Sequence, residues 1–356
     1  MNKKFWSRHI LDVEPYVPGE QPKDKRYIKL NTNENPYPPS PRVMEAIRNA
    51  DLTELRLYPD PDCGELRQAL AKFHGIAPEQ VFVGNGSDEV LAFIHMAFMD
   101  ADTPAVFPDI TYSFYPVYGA FFGNRCRIVP VREDFTIPLS ELMHDDGTVI
   151  LTNPNAPTGI GLPLSEVRRV LEGNPNHVVI LDEAYVDFGC ESAVSLIPEF
   201  DNLLVVQTCS KSRSLAGMRV GFAFGQAHLI AAMEAVKNSI NSYTLDRLAL
   251  RAAQAAVEDK EYLDDTCRAI AKTREKTSGK LRKMGFTVLP SQANFVFAAH
   301  PKVHASVLFA KLREKGVLVR YFNKPRIDNF LRISIGTDEE MDVLTDTLRE
   351  IMEEKA

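Results

Sequence analysis

A lysine, an aspartate and a proline-rich turn each follow an apolar segment that predicts a buried strand. They are Lys211, Asp182 and the run Asn-Pro-Asn-Ala-Pro-Thr-Gly at 153–159. Active sites of open α/β sheets lie at the carboxyl ends of the strands, where a partly buried lysine loses its proton readily enough for Schiff-base chemistry. A carboxylate at the same edge could hold a protonated ring nitrogen, and Tyr185 could bond a ring oxygen. The pattern indicates one site for amine chemistry.

Each feature alone also has an ordinary structural explanation. Most lysines are solvated, a strand-end aspartate often caps the backbone, and proline-rich segments often only form turns. Because the three features converge at the ends of three predicted strands, a shared site is favoured over three unrelated explanations.

The elements that must position these residues alternate between short β-branched runs and helical patterns. This alternation is typical of a mainly parallel sheet covered by helices on both faces. The predicted strands are 81–83, 105–107, 126–131, 148–152, 177–181, 203–207 and 220–224. The predicted helices are 88–99, 164–171 with Ser165 as N-cap, and 227–238. We therefore predict a large α/β domain over residues 31–245.

The remainder of the chain predicts a second, smaller domain. A long charged helix over 246–284 bridges to it, and the whole small α+β domain spans 246–356. Its other elements are strands at 286–289, 294–298, 317–320 and 330–335 and helices at 303–315 and 339–353. Residues 1–30 are polar, rich in proline and without a clear helix or strand pattern, which predicts an arm that packs on another surface or joins the small domain.

The composition excludes several classes of protein. The chain has 356 residues, with 41 Lys and Arg against 48 Asp and Glu, so a dedicated nucleic-acid surface is not expected. The five cysteines are scattered and favour a reducing cytoplasm, and the longest apolar run, 90–99, is too short to cross a membrane. His300 and His304 are separated by a proline and have no companion ligands, so we predict no metal site.

Together the three segments resemble the fold-type I pyridoxal-phosphate aminotransferases. That family carries an Asn-Pro turn ending in Pro-Thr-Gly, then Asp-x-x-Tyr, then Ser-Lys followed eight residues later by Arg. Five further motifs resemble its histidinol-phosphate aminotransferase branch. They are Pro-Tyr-Val-Pro-Gly at 15–19, Leu-Asn-Thr-Asn-Glu-Asn-Pro at 30–36, Tyr-Pro-Asp-Pro at 58–61, Gly-Asn-Gly-Ser-Asp-Glu at 84–89 and Leu-Arg-Ile-Ser-Ile-Gly at 331–336. The resemblance covers nearly the whole chain.

The resemblance implies an activity and roles for individual residues. It implies a cytoplasmic homodimer that exchanges an amino group between histidinol phosphate and 2-oxoglutarate with pyridoxal phosphate as cofactor. Lys211 would carry the cofactor and move a proton, Asp182 would pair with its ring nitrogen, and Tyr185 would donate to its ring oxygen. Tyr112 would stack on the ring, with ordinary packing as the alternative.

The resemblance also implies a cradle for the cofactor phosphate. A helix N-terminus and nearby hydroxyl and guanidinium groups suit such an anion. The implied residues are Gly86, Ser87, Asp88, Thr208, Ser210 and Arg219. Tyr58 would reach the phosphate from the second subunit, unless it is only a surface turn residue.

Two positions depart from the family pattern. Ala156 stands where many relatives have an asparagine that bonds the cofactor ring oxygen, so we expect Asn155, Asn153 or Tyr185 alone to serve there. Arg213 stands where relatives often have other residues, and it could lie near the phosphate or face solvent.

The substrate residues implied by the resemblance are Arg332 for a carboxylate, Arg320 for the phosphate of histidinol phosphate, and Asn33. A surface ion pair is the alternative for Arg320. Three other functions are compatible with parts of this pattern: an aromatic amino-acid aminotransferase, a threonine-phosphate decarboxylase, and a cofactor-binding module without turnover. The last is disfavoured because Lys211, Asp182, Tyr185 and Arg219 are all present.

Overall fold

The computed structural model describes residues 3–11 and 13–354. Residues 1, 2 and 12 of the predicted arm and residues 355 and 356 of the predicted small domain lie outside the described residues. The strands are β1 (Ile28–Leu30), β2 (Val81–Gly84), β3 (Ala105–Pro108), β4 (Cys126–Val129), β5 (Thr148–Thr152), β6 (Val179–Asp182), β7 (Leu203–Thr208), β8 (Gly221–Gly225), β9 (Thr287–Val288), β10 (Phe295–Ala299), β11 (Val317–Tyr321) and β12 (Leu331–Ser334).

Eleven α-helices are distributed along the described residues. They are α1 (Arg8–Leu11), α2 (Pro41–Arg48), α3 (Gly64–His74), α4 (Gly86–Phe98), α5 (Tyr115–Phe122), α6 (Leu164–Glu172), α7 (Ala227–Ile240), α8 (Arg247–Glu258), α9 (Lys260–Lys283), α10 (Ala305–Glu314) and α11 (Asp338–Glu353). Within the described residues, none of them is long and apolar enough to cross a membrane.

The large sheet has seven strands in the order β2-β8-β7-β6-β5-β3-β4. Only β8 runs against its two neighbours, so six strands point the same way. Strands β5, β6 and β7 are buried along their whole length, as expected when helices cover both faces. The predicted fold class, a mainly parallel α/β sheet with a smaller second sheet, is confirmed.

The smaller sheet has five strands in the order β1-β11-β12-β10-β9. Its first strand comes from the N-terminal segment and pairs parallel to β11. The N-terminal segment therefore adds one strand to the small sheet before the chain enters the large sheet at β2. Residues 31–35 consequently cross between the two sheets.

Three predictions of local structure were wrong. The helix predicted over 246–284 is two helices, α8 and α9, separated at Asp259, whose φ of −95° and ψ of 64° are not helical. The alanine-rich face of α8 packs into the core beneath the large sheet. The N-cap of α6 is Pro163 and not Ser165, and residues 1–30 do contain elements, α1 and β1.

Candidate active site

Most of the predicted site residues line one cavity of about 190 Å³ at the carboxyl edge of the large sheet. The cavity lies where β5, β6 and β7 end and where β8 begins. Its lining comes from the arm, the large sheet and the small sheet. The lining residues are Tyr16, Pro18, Gly19, Asn31, Thr32, Ser87, Asp88, Tyr112, Thr152, Ala156, Asp182, Ala184, Tyr185, Thr208, Ser210, Lys211, Arg219, Arg320 and Arg332.

Lys211 reaches into this cavity from the turn after β7. Its Nζ donates a hydrogen bond of 3.0 Å to the carbonyl oxygen of Thr32. The same nitrogen lies 5.8 Å from the centre of the Tyr185 ring. The amine is therefore held between the segment that crosses the two sheets and the turn after β6.

Asp182 ends β6 and is almost completely buried. Its Oδ2 accepts a hydrogen bond of 2.8 Å from the hydroxyl of Tyr115, and its Oδ1 accepts one of 3.3 Å from the backbone N–H of Ala184. Burial raises the pKa of the Asp182 carboxyl to about 6, although the Tyr115 hydrogen bond opposes this effect. A carboxylate that is so poorly solvated is a strong partner for a protonated nitrogen in the cavity.

Tyr185 is oriented by Asn33, whose Nδ2 donates a hydrogen bond of 3.1 Å to the phenolic oxygen. Asn33 has a positive φ of 56°, a conformation that asparagine tolerates better than most residues. Ser334 and Asn294 of the small domain bond its other polar atoms. The small domain thus fixes a hydroxyl group of the large domain.

One end of the cavity has the features of an anion-binding site. Helix α4 begins there with Gly86, Ser87 and Asp88, so its free N–H groups and its dipole favour negative charge. Arg219 Nη1 donates to Ser210 Oγ at 3.3 Å, and its Nη2 lies 3.3 Å from Asp88 Oδ2. A Cβ at Gly86 would come within 2.5 Å of the Arg219 guanidinium, so only glycine leaves room for this arrangement.

Hydroxyl groups complete this end of the cavity. Thr208 Oγ1 lies 2.9 Å from Ser210 Oγ, and Tyr112 donates a hydrogen bond of 2.9 Å to Asp88 Oδ1. Five of the six residues predicted for the phosphate cradle therefore line this end of the cavity, and Gly86 lies directly beside the Arg219 guanidinium.

Two arginines of the small domain enter from the opposite side. The guanidinium carbon of Arg332 lies 5.6 Å from the ring centres of both Phe295 and Phe322, and its Nη2 donates to the carbonyl oxygen of Asn31 at 2.8 Å. Its Nε is buried and has no hydrogen-bond partner among the described residues. Arg320 donates to the carbonyl oxygens of Val17 and Pro18.

Four predicted residues do not line the cavity within this chain, namely Gly86, Asn33, Asn155 and Tyr58. The side chain of Asn155 is turned into its own loop, where it bonds the Ile110 carbonyl, Thr158 and Thr111, so it does not replace the side chain missing at Ala156. Tyr58 is 76% exposed and stacks on Tyr243.

Arg213 adopts neither of the predicted positions. It is buried and forms an ion pair with Asp187 instead of lying at the phosphate end or facing solvent.

Sequence reasoning missed several lining residues, Tyr16 among them, and it missed Tyr115, which lies behind Asp182. Tyr115 bonds Asp182 from helix α5, which the sequence analysis did not predict. Tyr16 lines the cavity and stacks on Phe114 at 4.9 Å. The motif at 15–19 was the available signal for Tyr16, whereas Tyr115 has no local signal because its partner is 67 residues away.

The chain belongs to the aminotransferase class I and II family, whose model matches residues 25–348. Within that family it is 57% identical over 350 residues to the histidinol-phosphate aminotransferase of Acinetobacter baumannii, which covers 98% of this chain and 97% of the relative. It is 54% identical over 347 residues to the histidinol-phosphate aminotransferase of Clostridium acetobutylicum, with coverages of 98% and 99%.

A solved structure agrees with these relatives. The crystal structure of histidinol-phosphate aminotransferase from Sinorhizobium meliloti in complex with pyridoxal-5'-phosphate is 28% identical, covers 93% of each chain and has a TM-score of 0.85. The predicted family and the predicted cofactor, pyridoxal phosphate, are confirmed. The cavity suits this cofactor, since it combines an amine, a buried carboxylate and an anion cradle that a Cβ at Gly86 would fill.

Proposed function

We propose that this chain transfers the amino group of histidinol phosphate to 2-oxoglutarate, giving imidazole acetol phosphate and glutamate. The observation that carries the proposal is the placement of Arg320 and Arg332 in the same cavity as Lys211 and Asp182. The substrate named for the relatives at 57% and 54% identity supports the same choice.

The residues around Lys211 suit proton transfer on a bound amine. Pyridoxal phosphate, when bound, supplies an aldehyde that condenses with amines and a ring that withdraws electrons from the neighbouring carbon. Lys211 would hold it covalently and then carry a proton between two carbons. Asp182 would keep the ring nitrogen protonated, Tyr185 would donate to the ring oxygen, and Tyr112 would cover one face of the ring.

The anion end would bind the cofactor phosphate. The N–H groups of Ser87 and Asp88, the hydroxyl groups of Thr208 and Ser210 and the guanidinium of Arg219 provide its donors. A phosphate held by several such donors fixes the ring at a constant distance from Lys211.

The two arginines would handle the exchanging substrates. Arg332 is a planar fork with an uncommitted Nε, which suits a carboxylate such as that of glutamate. Arg320 would bind the phosphate of histidinol phosphate, which has no carboxylate. Asn33 is buried and its side chain bonds Tyr185 and Ser334, so it would orient Tyr185 and would not contact the substrate itself.

We also propose that the chain works as a homodimer in the cytoplasm. Tyr58 lies in an exposed apolar patch with Leu55, Leu57 and Tyr243, and such patches mark interaction surfaces. Across a dimer axis Tyr58 would reach the phosphate end of the partner's cavity. The free cysteines suit a reducing compartment.

Product analysis tests this function. Purified protein loaded with pyridoxal phosphate is given histidinol phosphate and 2-oxoglutarate, and glutamate formation is measured beside parallel reactions with phenylalanine and threonine phosphate. We expect glutamate to form fastest with histidinol phosphate. A higher kcat/KM for phenylalanine, or carbon dioxide release from threonine phosphate, would favour the corresponding alternative enzyme.

A further inference from the structure

The turns that carry Lys211 and Tyr185 are tied together by one carboxylate. Asp187 lies in the short helical turn Val186–Phe188, two residues after Tyr185. Its Oδ2 accepts a hydrogen bond of 2.5 Å from Ser212 Oγ and one of 3.3 Å from Arg213 Nη1. Because Ser212 and Arg213 directly follow Lys211, the two turns meet at a single oxygen atom.

Arg213 makes this connection rigid. Its side chain is only 1% exposed, and its guanidinium lies 5.2 Å from the centre of the Phe73 ring. Its Nε and Nη2 have no hydrogen-bond partners among the described residues. A buried cation with so few partners is strongly confined to the position of its counter-charge, which here is Asp187.

The backbone of the same turn is held from a second side. Asn35 Nδ2 donates to the carbonyl oxygens of Lys211 at 3.2 Å and of Ser212 at 3.1 Å. Its own Oδ1 accepts a hydrogen bond of 3.0 Å from the N–H of Tyr37. The carboxylate of Asp187 therefore holds the turn through its side chains, and the amide of Asn35 holds it through its carbonyl groups.

We propose that Asp187, acting through Ser212 and Arg213, is a positioning residue that sets the direction from which the Lys211 amine reaches the cofactor. This inference rests on the proposed role of Lys211. In the step concerned, the amine nitrogen would add to the aldehyde carbon of pyridoxal phosphate, a C=N bond would form and one water molecule would leave. No oxidant or further reactant is needed, so only the geometry of approach is at stake.

A pair of matched serine variants tests the proposal. Ser212→Ala removes the hydrogen bond to Asp187 and leaves the buried ion pair, whereas Ser214→Ala removes a buried hydroxyl of the same turn that has no partner among the described residues. Three quantities are measured: the rate of covalent attachment of pyridoxal phosphate to the apo-protein, the Kd of pyridoxamine phosphate, and kcat and KM. Pyridoxamine phosphate has no aldehyde, so its Kd reports the pocket without the Lys211 bond.

We expect Ser212→Ala to slow both attachment and kcat about 10-fold, with KM and the Kd of pyridoxamine phosphate changed by less than about twofold. Ser214→Ala should match the unchanged protein in all of them. Equal attachment rates and kcat in the two variants would overturn the positioning role, as would a large loss of pyridoxamine phosphate affinity in Ser212→Ala alone. Lys211→Ala separates the two claims, since turnover retained in that variant would instead refute the proposed function.

Discussion

The two halves of the cavity are held in different ways. On the lysine side, the polar groups of Asp182, Ser210 and Arg219 bond to one another or to neighbouring side chains of the large domain. On the arginine side, the hydrogen bonds that Arg320 makes among the described residues all go to carbonyl oxygens of the arm, and the Nε of Arg332 has no partner there. Side chains of the large domain therefore hold the first half in place, whereas the second half has hydrogen-bond donors that are available to a ligand.

This difference fits what each half would hold. A cofactor stays in place through many turnovers, so fixed donors and a rigid sheet edge serve it well. Substrates must enter and leave, and two different anions must be accepted in turn. Donors that bond only backbone carbonyls of the arm can be redirected to a ligand at a lower cost than donors in a closed network.

The largest effect is expected at Lys211. Lys211→Ala should lower kcat at least about 1,000-fold, because the variant would lose the group that we propose moves the proton. Pyridoxamine phosphate should still bind, since the anion cradle is intact. Steady-state turnover and equilibrium dialysis measure the two effects, and near-normal turnover would contradict the proposed role.

Asp182→Asn should separate activity from stability. We expect kcat to fall about 100-fold, because a neutral amide supports a protonated ring nitrogen poorly. Burial raises the pKa of Asp182 to about 6 from 3.8, so the folded apo-protein binds this proton more tightly than the unfolded chain does. The contribution of Asp182 to the free energy of unfolding therefore decreases as the pH rises through this range.

The apo-form of Asp182→Asn, which lacks that ionisation, should gain stability relative to the unchanged apo-protein by up to about 3 kcal/mol between pH 4 and pH 8. Urea unfolding at several pH values measures the difference. A difference that does not change with pH would show that the Asp182 carboxyl is not destabilised by burial.

Arg332→Lys tests the arginine half. The change keeps the charge but removes the planar fork, so KM for glutamate should rise about 30-fold, which corresponds to about 2 kcal/mol. The visible band of the bound cofactor should be unchanged. A disturbed band would mean that the two halves are not independent.

Arg320→Gln is expected to have the smallest effect. Glutamine can still donate to the arm, so kcat/KM for histidinol phosphate should fall about 10-fold through the lost charge while the value for glutamate stays within about twofold. Comparison of the two half-reactions measures this. Equal losses with both substrates would place Arg320 in the arm's packing and not in phosphate binding.

The sequence predicts the lysine half better than it predicts the arm and the connections. Apolar runs such as 148–152 and 203–207 locate their strands to within a residue, because doubly covered strands are apolar throughout. The break at Asp259 was missed because the helical pattern continues on both sides of it.

Contacts between distant segments were the other source of error. Asn155 was predicted to face the cofactor, yet its amide is consumed by Ile110, Thr111 and Thr158. Spacing within one motif cannot show which way such a side chain turns. The burial of Arg213 likewise depends on Asp187, which is 26 residues away.

A half-reaction tests the central claim most directly. That claim is that one half of the cavity holds the cofactor in place and the other half accepts the exchanging substrates. The protein loaded with pyridoxal phosphate is mixed with histidinol phosphate alone, and the visible band of the bound cofactor is followed. We predict loss of the band with one amino group transferred per site, and its full recovery when 2-oxoglutarate is added. A well-formed band that histidinol phosphate leaves unchanged would contradict the account.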